Sequence, residues 1–163
     1  MISILIGNAC SFFAMISDAV SSSRKNAKSM LLVQIISQVF YGTSAIVLKG
    51  YSAAVQNAIS ILRNLFATRE KQWKYTEWIL LILGAVLGLI FNNLAWIGLL
   101  PIIANLEYAL AVIYCKSNEK ALKIAFLINA CMFLVFNIFI RNYVAVAANC
   151  FLIITTFIFI IKK

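Results

Sequence analysis

Long apolar runs separated by short polar clusters make up nearly the whole chain. They extend from Ile2 to Val20, Met30 to Leu48, Tyr51 to Ala67, Thr76 to Asn92, Leu94 to Cys115, Ala121 to Ile140 and Tyr143 to Ile161. A spanning helix needs roughly 20 mostly apolar residues to cross about 30 Å of hydrocarbon at about 1.5 Å per residue. The pattern therefore predicts an all-α membrane protein of seven transmembrane helices. The first run has no basic residue ahead of it and no convincing small-x-small cleavage site, so it reads as a helix and not as a signal peptide. The connections are a few residues long and no linker or low-complexity segment interrupts them. One membrane domain, 1–163, with antiparallel neighbouring helices is expected.

Composition agrees: 64% of residues are hydrophobic and 12% charged, far from the soluble norm. The net charge of +9 changes the picture through its distribution. Arg24, Lys25 and Lys28 fall at the first connection. Arg63, Arg69, Lys71 and Lys74 fall at the third, Lys116, Lys120 and Lys123 at the fifth, and Lys162 and Lys163 at the tail. Of 14 basic residues only Lys49 and Arg141 lie on the opposite side. By the positive-inside rule the C-terminus is cytoplasmic and, with an odd number of spans, the N-terminus is outside. Nucleic acid is not an expected partner, because these charges are separated by helices that cannot leave the lipid.

Little catalytic chemistry is on offer. Cys10, Cys115, Cys131 and Cys150 sit within helices or at a cytoplasmic end and read as small packing residues. There is no His, no carboxylate cluster and no Cys pair at metal-ligand spacing, so neither an enzyme nor a cofactor or metal site is expected.

The stretch "KGYSAAVQN" at 49–57 returns as "RNYVAVAAN" at 141–149, and an ungapped shift of 92 residues extends the match. Arg24, Asn26 and Lys28 meet Lys116, Asn118 and Lys120; Lys49 meets Arg141, Tyr51 meets Tyr143, and Asn57 meets Asn149. The shift lays the first three helices on the last three and leaves the fourth as connector. A 3+1+3 plan follows, with a first three-helix bundle at 1–68, a linker helix at 76–92 and a second bundle at 94–163. Three crossings are an odd number, so the linker helix gives both repeats one orientation. Parallel repeats of this kind suit a transporter with its site between the halves.

This plan, with Pro101 in the first helix of a repeat and Asn57 and Asn149 in the third helices, resembles the SWEET, SemiSWEET and PQ-loop transporter superfamily. "KGYSAAVQNAISILRNL" and "IGLLPIIANLEYALAV" are similar to the bacterial inner-membrane YgjV family over essentially the whole chain. "LLPII" lacks the glutamine of a PQ pair, and Ala9 stands where Pro101 would align. The resemblance implies a bacterial inner (plasma) membrane location and places the two asparagines in the solute pocket.

Polar side chains at helical spacing show which faces avoid lipid. Asn8, Ser11, Met15 and Asp18 share a stripe of the first helix; Gln34, Ser37, Gln38 and Tyr41 lie on the second; Asn57, Ser60 and Asn64 on the third. A polar path between the bundles would use Asn57, Asn149, Tyr41, Phe133, Gln38 and Asn8. Interhelical hydrogen bonding is the competing reading, and for Asn105 and Asn129 it is the favoured one. Glu107, the acidic residue deep within a predicted helix, is either an inter-bundle ion pair with Arg63 or, like Asp18, a coupling group. Gly84 and Gly88 form a GxxxG that packs within the chain or, alternatively, joins a homo-oligomer. "REKQWKYTEW" at 69–78 reads as an interfacial anchor. The functional expectation is a transporter of a small polar solute, sugar, vitamin or amino-acid-like, facilitated or ion-coupled. A non-transporting receptor or assembly partner is the alternative from another class.

Overall fold

A computed structural model describes residues 1–68, 75–115 and 118–161. Seven helices are present among them: α1 (Ile2–Ser22), α2 (Ala27–Val47), α3 (Tyr51–Ala67), α4 (Thr76–Ile90), α5 (Leu99–Tyr114), α6 (Glu119–Phe139) and α7 (Tyr143–Ile161), with no strand. Three segments, Ile2–Ser21, Lys28–Val47 and Lys120–Phe139, are long and apolar enough to cross a membrane; Thr76–Ile90, Leu99–Tyr114 and Tyr143–Ile158 are apolar but shorter. Six of the basic residues counted above (Arg69, Lys71, Lys74, Lys116, Lys162 and Lys163), together with Trp73, lie outside the described residues.

Local chemistry sets the boundaries. Asn26 starts α2 by accepting the Lys28 backbone N–H at 2.9 Å, and Asn118 starts α6 by accepting that of Ala121 at 3.0 Å. Both helices end alike. Lys49 (φ 61) and Arg141 (φ 59) adopt the left-handed conformation. Gly50 N–H then reaches back to Ala45 O at 2.7 Å and Asn142 N–H to Asn137 O at 2.9 Å. These are Schellman ends in which a basic residue takes the place normally given to glycine, at a conformational cost of about 1–2 kcal/mol each. The two connections thus match one another at the same shift of 92 residues.

The connection between α4 and α5 differs from the pattern-based boundaries. Helix α4 stops at Ile90 and α5 starts at Leu99, because Asn92 competes for the backbone. Its side chain donates to Ala95 O at 2.8 Å and accepts the Leu94 N–H at 3.1 Å, and Ala95 takes φ 49. Asn93 ties this turn to the end of α2, donating to Lys49 O at 2.7 Å.

Consecutive helices pack in pairs, α1 also packs on α7, and α3 also packs on α5, so the helices close into a ring with α4 seated against α3 and α5. Among the described residues the backbones of α1 and α3, and of α5 and α7, do not approach closely. Helices α1–α3 and α5–α7 each form one arc of this ring. The interior is inverted relative to a soluble protein. Its buried positions are dominated by Ala, Ser, Asn and Gln, while Leu, Ile and Phe side chains face outward on every helix. The apolar core cluster, Ala45, Ala53, Ile97, Phe136 and Ile140, joins the two arcs near the Lys49 end. At opposite ends of the helices, Trp96 stacks edge-on with Phe139 (5.8 Å) and Trp78 with Tyr114 (6.3 Å), in the manner of the two aromatic belts of a membrane protein.

Candidate functional site

Helix α3 supplies the inner wall of the site. Ser52, Gln56, Ser60 and Asn64 recur every fourth residue and are all buried, while Leu62, Leu65 and Phe66 face outward. Gln56 bonds at both ends of its amide. Its Nε2 donates to Gly84 O at 2.9 Å and its Oε1 accepts from Asn105 Nδ2 at 3.1 Å, so one amide links α3, α4 and α5. Gly88 makes this approach possible: a Cβ at position 88 would lie 2.7 Å from Gln56 Nε2 and 2.8 Å from Ile102 Cγ1, whereas one at Gly84 would meet Gln56 Oε1 at an ordinary 3.5 Å. The GxxxG face of α4 is therefore spent on contacts inside the chain. Asn129 donates to Ala104 O at 2.9 Å and holds α6 to α5.

Next to this amide lies a cavity of about 230 Å³ between α3, α4 and α5, walled by residues including Gln56, Ser60, Arg63, Glu77, Asn105 and Tyr108. The groups that act electrostatically on the half-buried Arg63 are Tyr108 on α5 and Glu77 on α4. Arg63 makes no hydrogen bond or salt bridge with any described residue. A guanidinium carries five donors and is costly to hold unpaired among apolar helices. The cavity is thus mostly apolar with a cation and an anion on its wall, and its neutral amides already bond one another.

Of the two alternatives for Glu107, the ion pair with Arg63 is not formed among the described residues. That pairing assumed equal depth for the two residues, with the fifth helix starting at Leu94. The Asn92 turn delays α5 to Leu99, which leaves Glu107 about 12 Å along its helix against about 18 Å for Arg63. It is Tyr108 that faces Arg63. Glu107 does not line the cavity, and its Oε2 is buried without a hydrogen-bond partner among the described residues.

The other candidates are dispersed. Asp18 lies beside the hydroxyls of Ser37 and Tyr41, within the first arc. Gln38 and Phe133 are half-buried, as is Asn149. Asn57 donates to Ala53 O of its own helix at 2.9 Å. The backbones of α3 and α7 do not approach closely, and no hydrogen bond joins Asn57 to Asn149. Asn8 acts as a clamp, donating to Arg141 O at 3.0 Å and accepting the Val144 N–H at 2.9 Å. It borders a buried network in which Ser11 donates to Ser44, Ser44 to Gly7 O and Asn142 to Ser44, at 2.9, 2.7 and 3.2 Å. Asn8 thus joins the arcs where α1 meets α7.

A family model, Imp-YgjV, described as a bacterial inner membrane protein, matches residues 5–163. The chain belongs to this YgjV family. No curated protein and no solved structure gave a match. Membership makes this a bacterial inner-membrane protein. Glu77 is the cavity residue that its sequence context hides, because it sits in a basic and aromatic string with the look of an interfacial anchor. Gln56 had a signal: the four-residue spacing from Ser52 to Asn64 is readable without coordinates.

Proposed function

We propose that this YgjV-family protein moves a small polar solute across the inner membrane by alternating access, facilitated or ion-coupled, with its site at the seam between two parallel halves. The halves are α1–α3 and α5–α7, with α4 as the connector, all seven helices spanning, the N-terminus outside and the C-terminus in the cytoplasm. The observation that carries this reading is the cavity between α3, α4 and α5, which lies where the first arc meets the second and has on its wall a cation, Arg63, that makes no hydrogen bond or salt bridge with any described residue.

The packing supports two related halves. A rotation exchanging the arcs turns the α1–α7 contact into the α5–α3 contact, and both occur. It also turns the Ser44–Asn142 hydrogen bond into the approach of Phe136 to Gly50, where a Cβ on Gly50 would lie 2.8 Å from the Phe136 ring. Two arcs that meet along seams can rock about a site held between them.

A thermal-shift screen of purified protein against sugars, amino acids, nucleosides and vitamins tests the site, since preferential binding to the folded state raises apparent stability. At least one class should raise the unfolding midpoint, and Ala109→Trp, which fills the cavity, should abolish that rise while the variant remains folded. A rise that survives Ala109→Trp would place the site elsewhere.

A further inference from the structure

Which solute the cavity takes follows from the charges on its wall, given the reading above that it is a solute site. The amides of Gln56 and Asn105 are committed to one another and to Gly84 O. The charged groups on the wall are opposite in sign: Arg63 and Glu77 both line the cavity, act on one another electrostatically and form no salt bridge with one another. A simple anion at Arg63 would also meet Glu77, and a simple cation at Glu77 would meet Arg63. Each pays a repulsion that a ligand carrying both charges avoids. Much of the rest of the wall is apolar, including Ile59, Leu80, Leu81 and Val112. At about 230 Å³ the space falls below the roughly 300–1,000 Å³ of drug-sized pockets and suits a compact molecule.

We propose that the cavity binds a zwitterion with an apolar body, its carboxylate or phosphate turned to Arg63, its ammonium to Glu77 and its body against the aliphatic wall. Two sources offer this chemistry: a free amphipathic amino acid, or the headgroup of phosphatidylethanolamine entering from the bilayer.

The test is binding to the full-length protein in detergent, read by calorimetry at neutral pH. The probes are L-leucine, L-phenylalanine, glycine, leucinamide, 4-methylpentanoate, and short-chain phosphatidylethanolamine against short-chain phosphatidylglycerol. A zwitterion with an apolar body should bind at least tenfold more tightly than glycine and than its single-charge analogues. The free source is assigned if leucine or phenylalanine binds, the lipid source if phosphatidylethanolamine alone does. Arg63→Gln and Glu77→Gln should each weaken that binding at least tenfold. Arg63→Lys, which keeps the charge and guards against a folding defect in Arg63→Gln, should recover most of it. Single-charge analogues binding as tightly as the zwitterion, no zwitterion binding at all, or zwitterion binding unchanged in both Gln variants, would overturn the proposal. A sugar or nucleoside that binds, is lost in Ala109→Trp and is indifferent to Arg63→Gln would overturn it while leaving the solute site standing. Failure of every solute class would remove both.

Discussion

Gly88→Leu should lower the unfolding midpoint in detergent by on the order of 10 °C, an effect of about 2–4 kcal/mol. Position 88 has no room. Even a Cβ would lie 2.7 Å from Gln56 Nε2 and 2.8 Å from Ile102 Cγ1, and Gln56 cannot swing away without losing its bonds to Gly84 O and Asn105. A larger side chain therefore pries α4 from α3 and α5 and breaks the amide that joins them. Gly42→Ala is the matched control. Its Cβ would meet only Asn57 Cβ, at 3.5 Å, an ordinary contact, and alanine is the better helix former by about 1 kcal/mol. That variant should melt at or slightly above the wild-type temperature. If Gly88→Leu instead leaves the midpoint unchanged and lowers the oligomeric mass, the GxxxG face serves a partner copy and not the chain's own packing.

The second large effect is all-or-none. In a background with the four native cysteines replaced, Tyr143→Cys should react fully with an impermeant thiol reagent added outside intact cells, and Lys25→Cys should not react until the membrane is opened. Tyr143 and Lys25 are both exposed and lie at opposite ends of the helices. The bonds from Asn8 to Arg141 and from Asn93 to Lys49 gather the start of α1 with the two Schellman ends on Tyr143's side, where the chain carries few basic residues. The assignment of that side to the outside rests on the basic residues concentrated at the other. The reverse labelling pattern would invert the orientation.

How much of this was legible without coordinates depended on the range of the interaction that decides each feature. The seven helices were legible because an apolar run bounded by polar residues is a local signal. So was the recurrence of the Lys49 connection at Arg141, where even the left-handed backbone repeats. The late start of α5 was not, because it depends on the Asn92 side chain capturing its own backbone, a choice apolar periodicity does not register. That missed turn also undid the expected Arg63–Glu107 pair. On α3 the stripe was visible, but the emphasis fell on Asn57, one residue and so about 100° of rotation from Gln56, which faces the seam. The neighbours that separate them, Gly84 and Asn105, lie on other helices. Glu77 was hidden for a related reason: its role comes from the cavity it borders and not from the residues beside it in sequence.

Transport itself is the claim on which the functional account turns, and counterflow in proteoliposomes tests it most directly. Vesicles containing the protein would be loaded with an unlabelled mixture of amino acids, sugars, nucleosides and vitamins, diluted, and offered each class in trace labelled form. The account predicts transient accumulation of at least one class above protein-free vesicles, and none with Ala109→Trp. No accumulation of any class by folded wild-type protein, or equal accumulation with the cavity filled, would contradict it.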